Sequence, residues 1–520
     1  MRRPHNALPQ AAPVGRLAGP VWASLPMSAK DFVYLDYAAT TPVDPSVIGA
    51  MTRSLAEEAG CGNPSSLHPF GRRAAERIEA ARTEVAALIG AAGEEIVFTS
   101  GATESDNLAV LGAARAQADR GRHLVSSRIE HKAGLDPCKR LEKEGFAVTL
   151  VGPERTGRID PRAVAEALRP DTVLVSVMWV NNEIGVIQDV EAIGALCRER
   201  GILYHTDAAQ AAGKLPIAVH DLPVDLLSFT AHKLYGPKGI GALYVRAGVR
   251  ARLLPLLFGG GQERGLRPGT LPTHQVVGFG AACALARAAL GSEGPRLTAL
   301  RERLWEQLRA IGGVHLNGEG APRVPGILNV SFEGVEGESL VGALGELALS
   351  TGSACNSASG EPSYVLRALG RDTELAQSSL RFSFGRFTAA DDIDAAARAV
   401  RREVERLRAS SPAAEPCAAS AADEVVGEAG GPGREVWIRF RLQVRAGRVS
   451  GVTHRVYGCP HTMAAAAWLA ARLPGRPQAA LIPGTPAQWA ETLGVPAEKL
   501  GRLLTLEDAL RDCQRHWPRV

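Results

Sequence analysis

Cysteine is scarce in this chain, and its spacing forms no pairs. Eight cysteines are spread over 520 residues, at positions 61, 138, 197, 283, 355, 417, 459 and 513. A zinc finger would place them in short paired spacings, and a disulfide-stapled secreted domain would concentrate them in a short segment. We therefore expect reduced thiols and a cytoplasmic protein.

Long apolar runs, strong net charge and aromatic stripes are missing as well. No run of about 18 apolar residues is present, the length needed to cross a bilayer. The net charge of +4 is small for 520 residues, and aromatic residues make up 5% of the chain. We expect no membrane association and no direct nucleic-acid binding. The hydrophobic content of 45% is sufficient for several domain-sized cores.

Acidic residues are absent from residues 1–30, which contain three arginines and many alanines, prolines and glycines. This composition is typical of a transit peptide, but the segment shows no clear amphipathic stripe. We interpret it as a disordered extension or as the product of a misassigned start codon, since Met27 lies just before the first recognisable motif. The fold is expected to begin near residue 31.

The body of the chain alternates strand-like and helix-like patterns. Residues 72–88 and 161–168 have helical periodicity, whereas 173–177 is a short apolar run of the kind that forms a buried strand. This alternation predicts an α/β fold with a parallel sheet covered by helices. We expect a large domain over about 45–290. A small domain would combine the N-terminal arm with about 291–407.

The most informative residue is Lys233, which ends the run Ser-Phe-Thr-Ala-His-Lys at 228–233. A lysine amine condenses with the aldehyde of pyridoxal phosphate, and the cofactor ring then acts as an electron sink. Most lysines are solvated surface charges, so this run needs support from other cofactor ligands.

Asp207 and Gln210 follow the apolar run 202–204, which resembles a buried strand delivering its polar end to a site. A carboxylate at Asp207 would keep a pyridine nitrogen protonated, and Gln210 could donate to the ring phenolate. The alternative for Asp207 is an ordinary helix cap.

Polar residues also follow three other strand-like runs. Residues 98–107 combine a strand end, a tight turn at Gly101 and a helix start, which together form an anion site. His131 could stack on a cofactor ring, although a buried structural histidine is the alternative. Asn182 could offer its amide to the ring oxygen.

Together these motifs resemble the class V, fold-type I pyridoxal-phosphate enzymes, and specifically the cysteine desulfurases, over roughly residues 31–407. The matching positions are 34–42 (YLDYAATTP), 100–107 (SGATESDN), Asn182, Asp207, Gln210, His232, Lys233, 267–270 (RPGT) and 380–383 (LRFS). Residues 350–357 (STGSACNS) and 361–364 (EPSY) resemble the long-loop class of nitrogen-fixation and housekeeping iron–sulfur desulfurases.

The resemblance implies a large and a small domain, a homodimer, L-cysteine as substrate, and delivery of sulfur to acceptor proteins such as an iron–sulfur scaffold or a thiolation enzyme. It implies catalytic roles for Lys233, Cys355 and His131, and substrate binding by Arg381 and Asn182. The implied pyridoxal-phosphate ligands are Ala102, Thr103, His131, Asn182, Asp207, Gln210, Thr230, His232, Lys233 and, from the partner subunit, Thr270.

The residue types themselves fit these roles. Glycine, serine and alanine around Cys355 would let a thiolate reach a substrate sulfur and then swing outward. A guanidinium fork at Arg381 matches a carboxylate bidentately. A selenocysteine lyase or another class V reaction is the enzymatic alternative, and the sequence around Cys355 argues against both. The alternative for Cys355 is a buried, inert thiol.

A second unit is predicted beyond residue 408. Residues 409–433 are rich in Ala, Ser, Pro, Gly and Glu, and predict a flexible linker. The remainder, 434–520, predicts a small α+β domain in which strands 436–444 and 449–457 form a hairpin. Cys459 follows the hairpin and precedes an alanine-rich helix at 463–473, where the helix dipole favours thiolate.

This tail resembles the iron–sulfur scaffold family over about 85 residues. It departs from that family because the first hairpin contains no cysteine, and because Arg502 or Leu503 stands where a ligand cysteine would precede 506–509. No metal ligand set is therefore assigned. Cys355 and Cys459 remain candidates for cluster binding or sulfur transfer. The alternatives are an iron–sulfur carrier or docking module, and a relic cysteine packed under the hairpin.

Overall fold

A computed structural model describes residues 32–56, 61–350, 362–409, 423–431 and 436–518. The N-terminal extension predicted for 1–30, and Cys355, lie outside these residues. A seven-stranded sheet forms the centre of the large domain, with strand order β2-β8-β7-β6-β5-β3-β4. Only β8 is antiparallel to its neighbours in this sheet.

The large domain alternates strands and helices along most of its length. Its strands are β2 (Ile96–Thr99), β3 (His123–Ser127), β4 (Ala147–Val151), β5 (Thr172–Ser176), β6 (Leu203–Asp207), β7 (Leu226–Thr230) and β8 (Gly241–Val245). Its helices are α1 (Pro45–Ala56), α2 (Pro69–Ile89), α3 (Ala102–Ala116), α4 (Lys132–Lys143), α5 (Pro161–Ala167), α6 (Val190–Glu199) and α7 (Thr273–Arg309).

Burial explains why the central strands are rich in apolar residues and carry few polar ones away from their ends. Every residue of β5, β6 and β7 is buried, because helices cover both faces of the sheet. Side chains cap the helices that return the chain between strands. Asp160 accepts from the Arg162 amide at the start of α5, and Asp189 accepts from the Ala192 amide at the start of α6.

Helix α7 is the one helix of the described chain that is long and apolar enough to cross a membrane, judged by length and composition alone. A core helix passes the same test. In this structure α7 packs against α1 and α2 and buries Val276 and Phe279. We therefore interpret it as the helix that links the large-domain core to the small domain.

The small domain is built on two short sheets. Its strands are β1 (Val33–Tyr34), β9 (Val314–Leu316), β10 (Ile327–Phe332), β11 (Leu347–Ala348) and β12 (Ser379–Ser383). Its helices are α8 (Gly337–Ala343), α9 (Tyr364–Ala368), α10 (Thr373–Gln377) and α11 (Ala390–Ala409). β1 pairs in parallel with β11, so the N-terminal arm belongs to this domain.

The C-terminal unit packs three helices on a three-stranded antiparallel sheet. Its elements are β13 (Glu424–Gly430), β14 (Trp437–Arg445), β15 (Arg448–Tyr457), α12 (Pro460–Ala470), α13 (Pro486–Leu493) and α14 (Leu500–Arg515). The predicted hairpin corresponds to β14 and β15. The predicted linker is wrong over 424–430, because these residues form β13 and pair with β14 along its length.

The C-terminal unit is docked on the small domain through α8. The Ser339 hydroxyl donates to the Gly458 carbonyl at 2.5 Å, and Lys499 donates to the Glu338 carboxylate at 2.6 Å. Tyr457 adds a 3.2 Å hydrogen bond to Glu374 at the edge of the interface. In the sequence, α8 and β11 come directly before residues 351–361, which contain Cys355.

Candidate active site

A cavity of about 500 Å³ lies at the carboxyl ends of β3, β5, β6 and β7. Parallel strands bring their carboxyl ends to one edge of a sheet, where the connecting loops form a crevice. The predicted site residues reach the cavity from six separate stretches of sequence. The predicted site residues that line it are Ala102, Thr103, His131, Asn182, Asp207, Gln210, Thr230, His232, Lys233 and Arg381.

The N-terminus of α3 forms the polar end of this cavity. Ala102 and Thr103 lie in the first helical turn, where amide groups have no carbonyl partner within the helix. Thr230, at the end of β7, lines the cavity on the same side as Gly101. Free helix amides beside a hydroxyl are suited to a phosphate group.

Lys233 ends a short 3-10 helix, Ala231–Lys233, that follows β7 directly. The N-terminal arm fixes this segment, because the amide and the hydroxyl of Thr41 both donate to the His232 carbonyl at 2.9 Å. Burial, together with the positive charge of Lys233, lowers the pKa of His232 to about 4. His232 is therefore neutral near pH 7 and adds no charge beside the lysine.

Asp207 lies at the end of β6, with its carboxylate oriented by a 2.8 Å hydrogen bond from the Ala209 amide. A second carboxyl group, Asp106, lines the same cavity from α3. Burial and the charge of Asp207 raise the pKa of Asp106 well above its ordinary value. The protonated, uncharged form of Asp106 is thereby favoured, as expected when two acids share a buried site.

His131 caps α4, and its Nδ1 atom accepts from the Ala133 amide at 3.1 Å. Burial and the charge of Lys233 lower the pKa of His131, so the ring is neutral. An acceptor at Nδ1 places the ring proton of a neutral imidazole on Nε2. The ring is therefore fixed in one tautomer while it lines the cavity.

Asn182 and Gln210 supply amide groups to the cavity. The Asn182 side-chain oxygen is buried and accepts no hydrogen bond within the described residues. The Gln210 amide donates to the Ala38 carbonyl at 2.8 Å, and its oxygen accepts from Lys214 at 2.5 Å. Both side chains line the cavity, and the orphaned oxygen of Asn182 marks a position where a ligand atom is expected.

Arg381 projects from β12 of the small domain and is 2% exposed. Its guanidinium donates to the Asn182 carbonyl and to the Asp36 carboxylate, each at 2.8 Å. The Nε atom is buried and has no hydrogen-bond partner in the described structure. Because a guanidinium has five N–H donors, this side chain is positioned by two of them and retains donors for a substrate carboxylate.

The described residues on either side of 351–361 contact residues of the site or their neighbours. On one side, the Arg381 amide donates to the Ser350 carbonyl at 2.8 Å. On the other, the Ser363 hydroxyl donates to Glu183 at 2.5 Å and the Tyr364 hydroxyl to the Glu130 carbonyl at 2.6 Å. Burial raises the pKa of Glu183 to about 7 and that of Glu130 to about 8.

Two of the predicted residues, Thr270 and Cys459, do not line the cavity. Thr270 is exposed on the surface of the large domain, and Cys355 lies outside the described residues. Cys459 caps α12 in the C-terminal unit and is fully buried, with its sulfur 3.3 Å from the Thr462 hydroxyl. In the described residues no group of three or more His, Cys, Asp or Glu side chains could hold a metal ion.

Sequence reasoning missed four residues of the site. Asp106, Glu183 and Tyr364 line the cavity, and Lys214 contacts Gln210. Asp106 lies within the motif at 100–107, Glu183 directly follows Asn182, and Tyr364 ends the motif at 361–364. A polar residue beside each assigned position was therefore the available signal. The Tyr364 contact joins positions 234 residues apart, and no local pattern indicates it.

The cavity fits pyridoxal phosphate. It combines a lysine, a carboxylate, a neutral imidazole, an orphaned amide oxygen and helix amides that have no partner within the helix, which are the groups that this cofactor requires. The fold and this donor set define a fold-type I pyridoxal-phosphate enzyme.

Comparisons with known proteins refine this class. The class-V aminotransferase family matches residues 33–396. Cysteine desulfurase IscS of Cronobacter sakazakii is 57% identical over 381 residues, which are 73% of this chain and 94% of that protein. IscS of Escherichia coli K12 is 56% identical over 381 residues, which are again 73% of this chain and 94% of that protein. The chain belongs to the class-V aminotransferase family and, within it, to the cysteine desulfurases.

Solved structures agree with this assignment. A NifS-like protein has a TM-score of 0.67 and 34% identity, and the match covers 72% of this chain and 100% of the NifS-like chain. A structure described as SspA in complex with cysteine has a TM-score of 0.62 and 39% identity, covering 68% of this chain and 99% of that one.

Proposed function

We propose that this cysteine desulfurase converts L-cysteine to L-alanine and carries the released sulfur as a persulfide on Cys355. The observation that supports this proposal is the convergence of Lys233, Asp207 and Arg381 on one cavity. Residues on both sides of the Cys355 segment contact the same site. The persulfide would supply sulfur for iron–sulfur cluster assembly or for thiolation of cofactors or tRNA, and we place the enzyme in the cytoplasm.

Pyridoxal phosphate, when bound, supplies the electron sink for bond breaking in the substrate. Ala102, Thr103, Thr230 and His232 would hold its phosphate, while Lys233 would hold it covalently and Asp207 would keep its ring nitrogen protonated. His131, Asn182 and Gln210 would contact the ring. Arg381 would orient the substrate carboxylate, and Lys233 would move the α-proton of cysteine as base and then acid.

Sulfur transfer needs a second nucleophile, and Cys355 is the candidate. Its thiolate would form an S–S bond to the substrate sulfur as the C–S bond of the substrate breaks. Protonation of the remaining carbon skeleton then gives alanine, and the sulfur stays on the enzyme as the outer atom of a persulfide. No external oxidant is required, since the atoms of cysteine are divided between alanine and the persulfide.

The active unit is proposed to be a homodimer. Thr270 is exposed in the single chain and lies away from the cavity, as expected for a residue that serves the partner's site. The same stretch of the large domain exposes Leu257 and Phe258, with Phe258 87% accessible. Exposed apolar side chains of this size are typical of an interface.

For the C-terminal unit we propose a scaffold-like docking module. The scaffold resemblance is supported by the hairpin of β14 and β15 and by the helix α12 that follows it, which is capped by Cys459. Arg502 or Leu503 stands where the scaffold family would have a ligand cysteine. Arg502 lies 3.8 Å from Glu338 of α8, and Leu503 is buried in the core of the C-terminal unit. The full burial of Cys459 argues that it accepts sulfur only if the unit undocks.

The test is the variant Cys355→Ser, incubated with L-cysteine. We expect the purified variant to retain the visible absorbance of the bound cofactor but to release almost no alanine or sulfide, because a hydroxyl is a far poorer nucleophile toward sulfur than a thiolate. Peptide mass spectrometry of the wild type should locate the added sulfur on Cys355.

The matched control is Cys61→Ser, which removes an exposed cysteine of the large domain. This variant should turn over cysteine at the wild-type rate. Normal alanine release by Cys355→Ser would move the nucleophile elsewhere. Absence of cofactor absorbance in the wild type would contradict the cofactor assignment itself.

A further inference from the structure

Lys214 is a basic residue that contacts Gln210, one of the predicted cofactor ligands. It follows Gln210 by four positions, and its Nζ atom donates to the Gln210 side-chain oxygen at 2.5 Å. The nitrogen of the same Gln210 amide donates to the Ala38 carbonyl at 2.8 Å. With the oxygen and one N–H thus engaged, the amide is held in one orientation and keeps its second N–H for a ligand.

Lys214 is half-buried, and its surroundings are mainly positive. It lines a small cavity of about 40 Å³ between the two domains, and Lys233 lines the same cavity. Tyr37, Tyr235 and Glu293 line the same cavity, but Glu293 is already paired with Arg386 at 2.8 Å. The positive charges of Lys233 and Arg381 also act on Lys214.

These surroundings act on the ammonium group. Burial, followed by repulsion from Lys233 and Arg381, lowers the pKa of Lys214 to about 7. A surface lysine would not respond to pH in the neutral range. The Lys214 amine therefore changes charge near neutral pH while it contacts a glutamine that lines the active-site cavity.

We propose that Lys214 is a positioning residue of the desulfurase site, which holds the Gln210 amide toward the cofactor ring oxygen and places a positive charge behind it. This inference rests on the proposed cofactor site. Lys214 acts through Gln210 and is not assigned a contact with the cofactor or the substrate. The cluster Ala38–Gln210–Lys214 also ties the N-terminal arm, the end of β6 and the interdomain cavity together.

The proposal predicts a spectroscopic effect. A nearby positive charge stabilises a negatively charged ring oxygen. It therefore makes it easier for the lysine-bound cofactor to lose its proton. Removal of that charge should therefore raise the pH midpoint of the cofactor's visible absorbance change. For charges separated by several ångströms in a partly buried site, the shift is expected to be about one pH unit.

Three variants of the holoenzyme separate charge from hydrogen bonding. Lys214→Met removes both, Lys214→Gln keeps a neutral donor, and Lys214→Arg keeps the charge. We expect spectrophotometric pH titration to give a midpoint raised by about one unit in the Met and Gln variants. The Arg variant should stay near the wild type. Circular dichroism establishes that each variant is folded.

The control is Lys139→Met, which removes an exposed lysine from α4 and should leave the midpoint unchanged. An unchanged midpoint in folded Lys214→Met or Lys214→Gln would overturn the role of Lys214, while the cofactor band itself would still support the proposed function. A wild-type protein with no visible cofactor band would instead contradict the proposed function.

Discussion

Several site side chains are oriented by hydrogen bonds with neighbouring groups of the protein. His131 accepts from the Ala133 amide through Nδ1, and Asp207 accepts from the Ala209 amide through one carboxylate oxygen. Gln210 does the same with Lys214 and the backbone of Ala38. Each side chain is thereby oriented before any ligand binds, which reduces the reorganisation required during the reaction.

Arg381→Ala is expected to raise the KM for L-cysteine by about 30-fold or more, because loss of one partner of a desolvated charged pair costs about 2 to 5 kcal/mol. The bound-cofactor spectrum should be retained. Steady-state kinetics with alanine detection measures the effect. Arg381→Lys is the matched variant, and should recover only part of the affinity because an ammonium lacks the planar fork. An unchanged KM in both variants would exclude Arg381 as the carboxylate anchor.

At the residue scale, sequence patterns were sufficient for groups that stand at strand ends. Asp207, Lys233 and Asn182 each follow a recognisable apolar run, so their convergence on one edge of the sheet could be predicted from the fold class. Lys214 could not be found in this way. Its role depends on burial between two domains, and nothing local in the sequence distinguishes it from a solvated lysine.

At the scale of elements, the interface between α8 and the C-terminal unit is electrostatic as well as apolar. Glu338→Lys would place a third positive charge against Lys499 and Arg502. We expect this variant to undock the C-terminal unit and to expose Cys459, which is fully buried in the docked state. Alkylation of the native protein at neutral pH, followed by peptide mass spectrometry, measures the exposure.

The reciprocal change provides the control for that experiment. Glu338→Lys combined with Lys499→Glu should restore protection of Cys459, whereas Glu142→Lys makes the same charge change at an exposed site on α4 and should have no effect. If Cys459 stays protected in Glu338→Lys, these charges do not hold the interface together. Equal reactivity of Cys459 in the wild type would contradict the docked arrangement itself.

Strand β13 shows where composition is a poor guide to elements. Its sequence, Glu-Val-Val-Gly-Glu-Ala-Gly, has the small and charged residues of a linker, yet it pairs with β14 at seven positions. Gly427 explains part of this composition, because an added Cβ would lie 2.3 Å from the Ala509 carbonyl of α14. Close packing of a helix requires a residue without a side chain there, so tertiary context overrides local propensity.

At the scale of the whole molecule, the proposed dimer makes a prediction about cofactor retention. Phe258→Asp should weaken the dimer by about 30-fold or more, since a central aromatic contact is typically worth about 2 kcal/mol or more. The same variant should lose cofactor on dilution, because Thr270 would no longer reach the partner's site. Analytical ultracentrifugation and absorbance measure the two effects.

Leu504→Asp is the matched surface change for this test, as Leu504 is 49% exposed on α14 of the C-terminal unit. It should leave both the dimer and the cofactor content unchanged. A Phe258→Asp protein that stays dimeric at low concentration would remove this part of the surface from the interface. A monomer that still retains its cofactor would contradict the role given to Thr270.

The covalent link between the C-terminal unit and the desulfurase body has a consequence for stoichiometry. A separately encoded partner would occupy the surface of α8 in proportion to its expression level and would dissociate as the cell dilutes it. A unit on the same chain is present at one copy per active site and rebinds at a local concentration that does not change with expression. Any free protein that binds this surface of α8 must therefore displace the C-terminal unit, which stays attached to the chain however dilute the protein becomes. The strength of the contacts made by Glu338 and Ser339 would then set how abundant such a protein must be before it gains access.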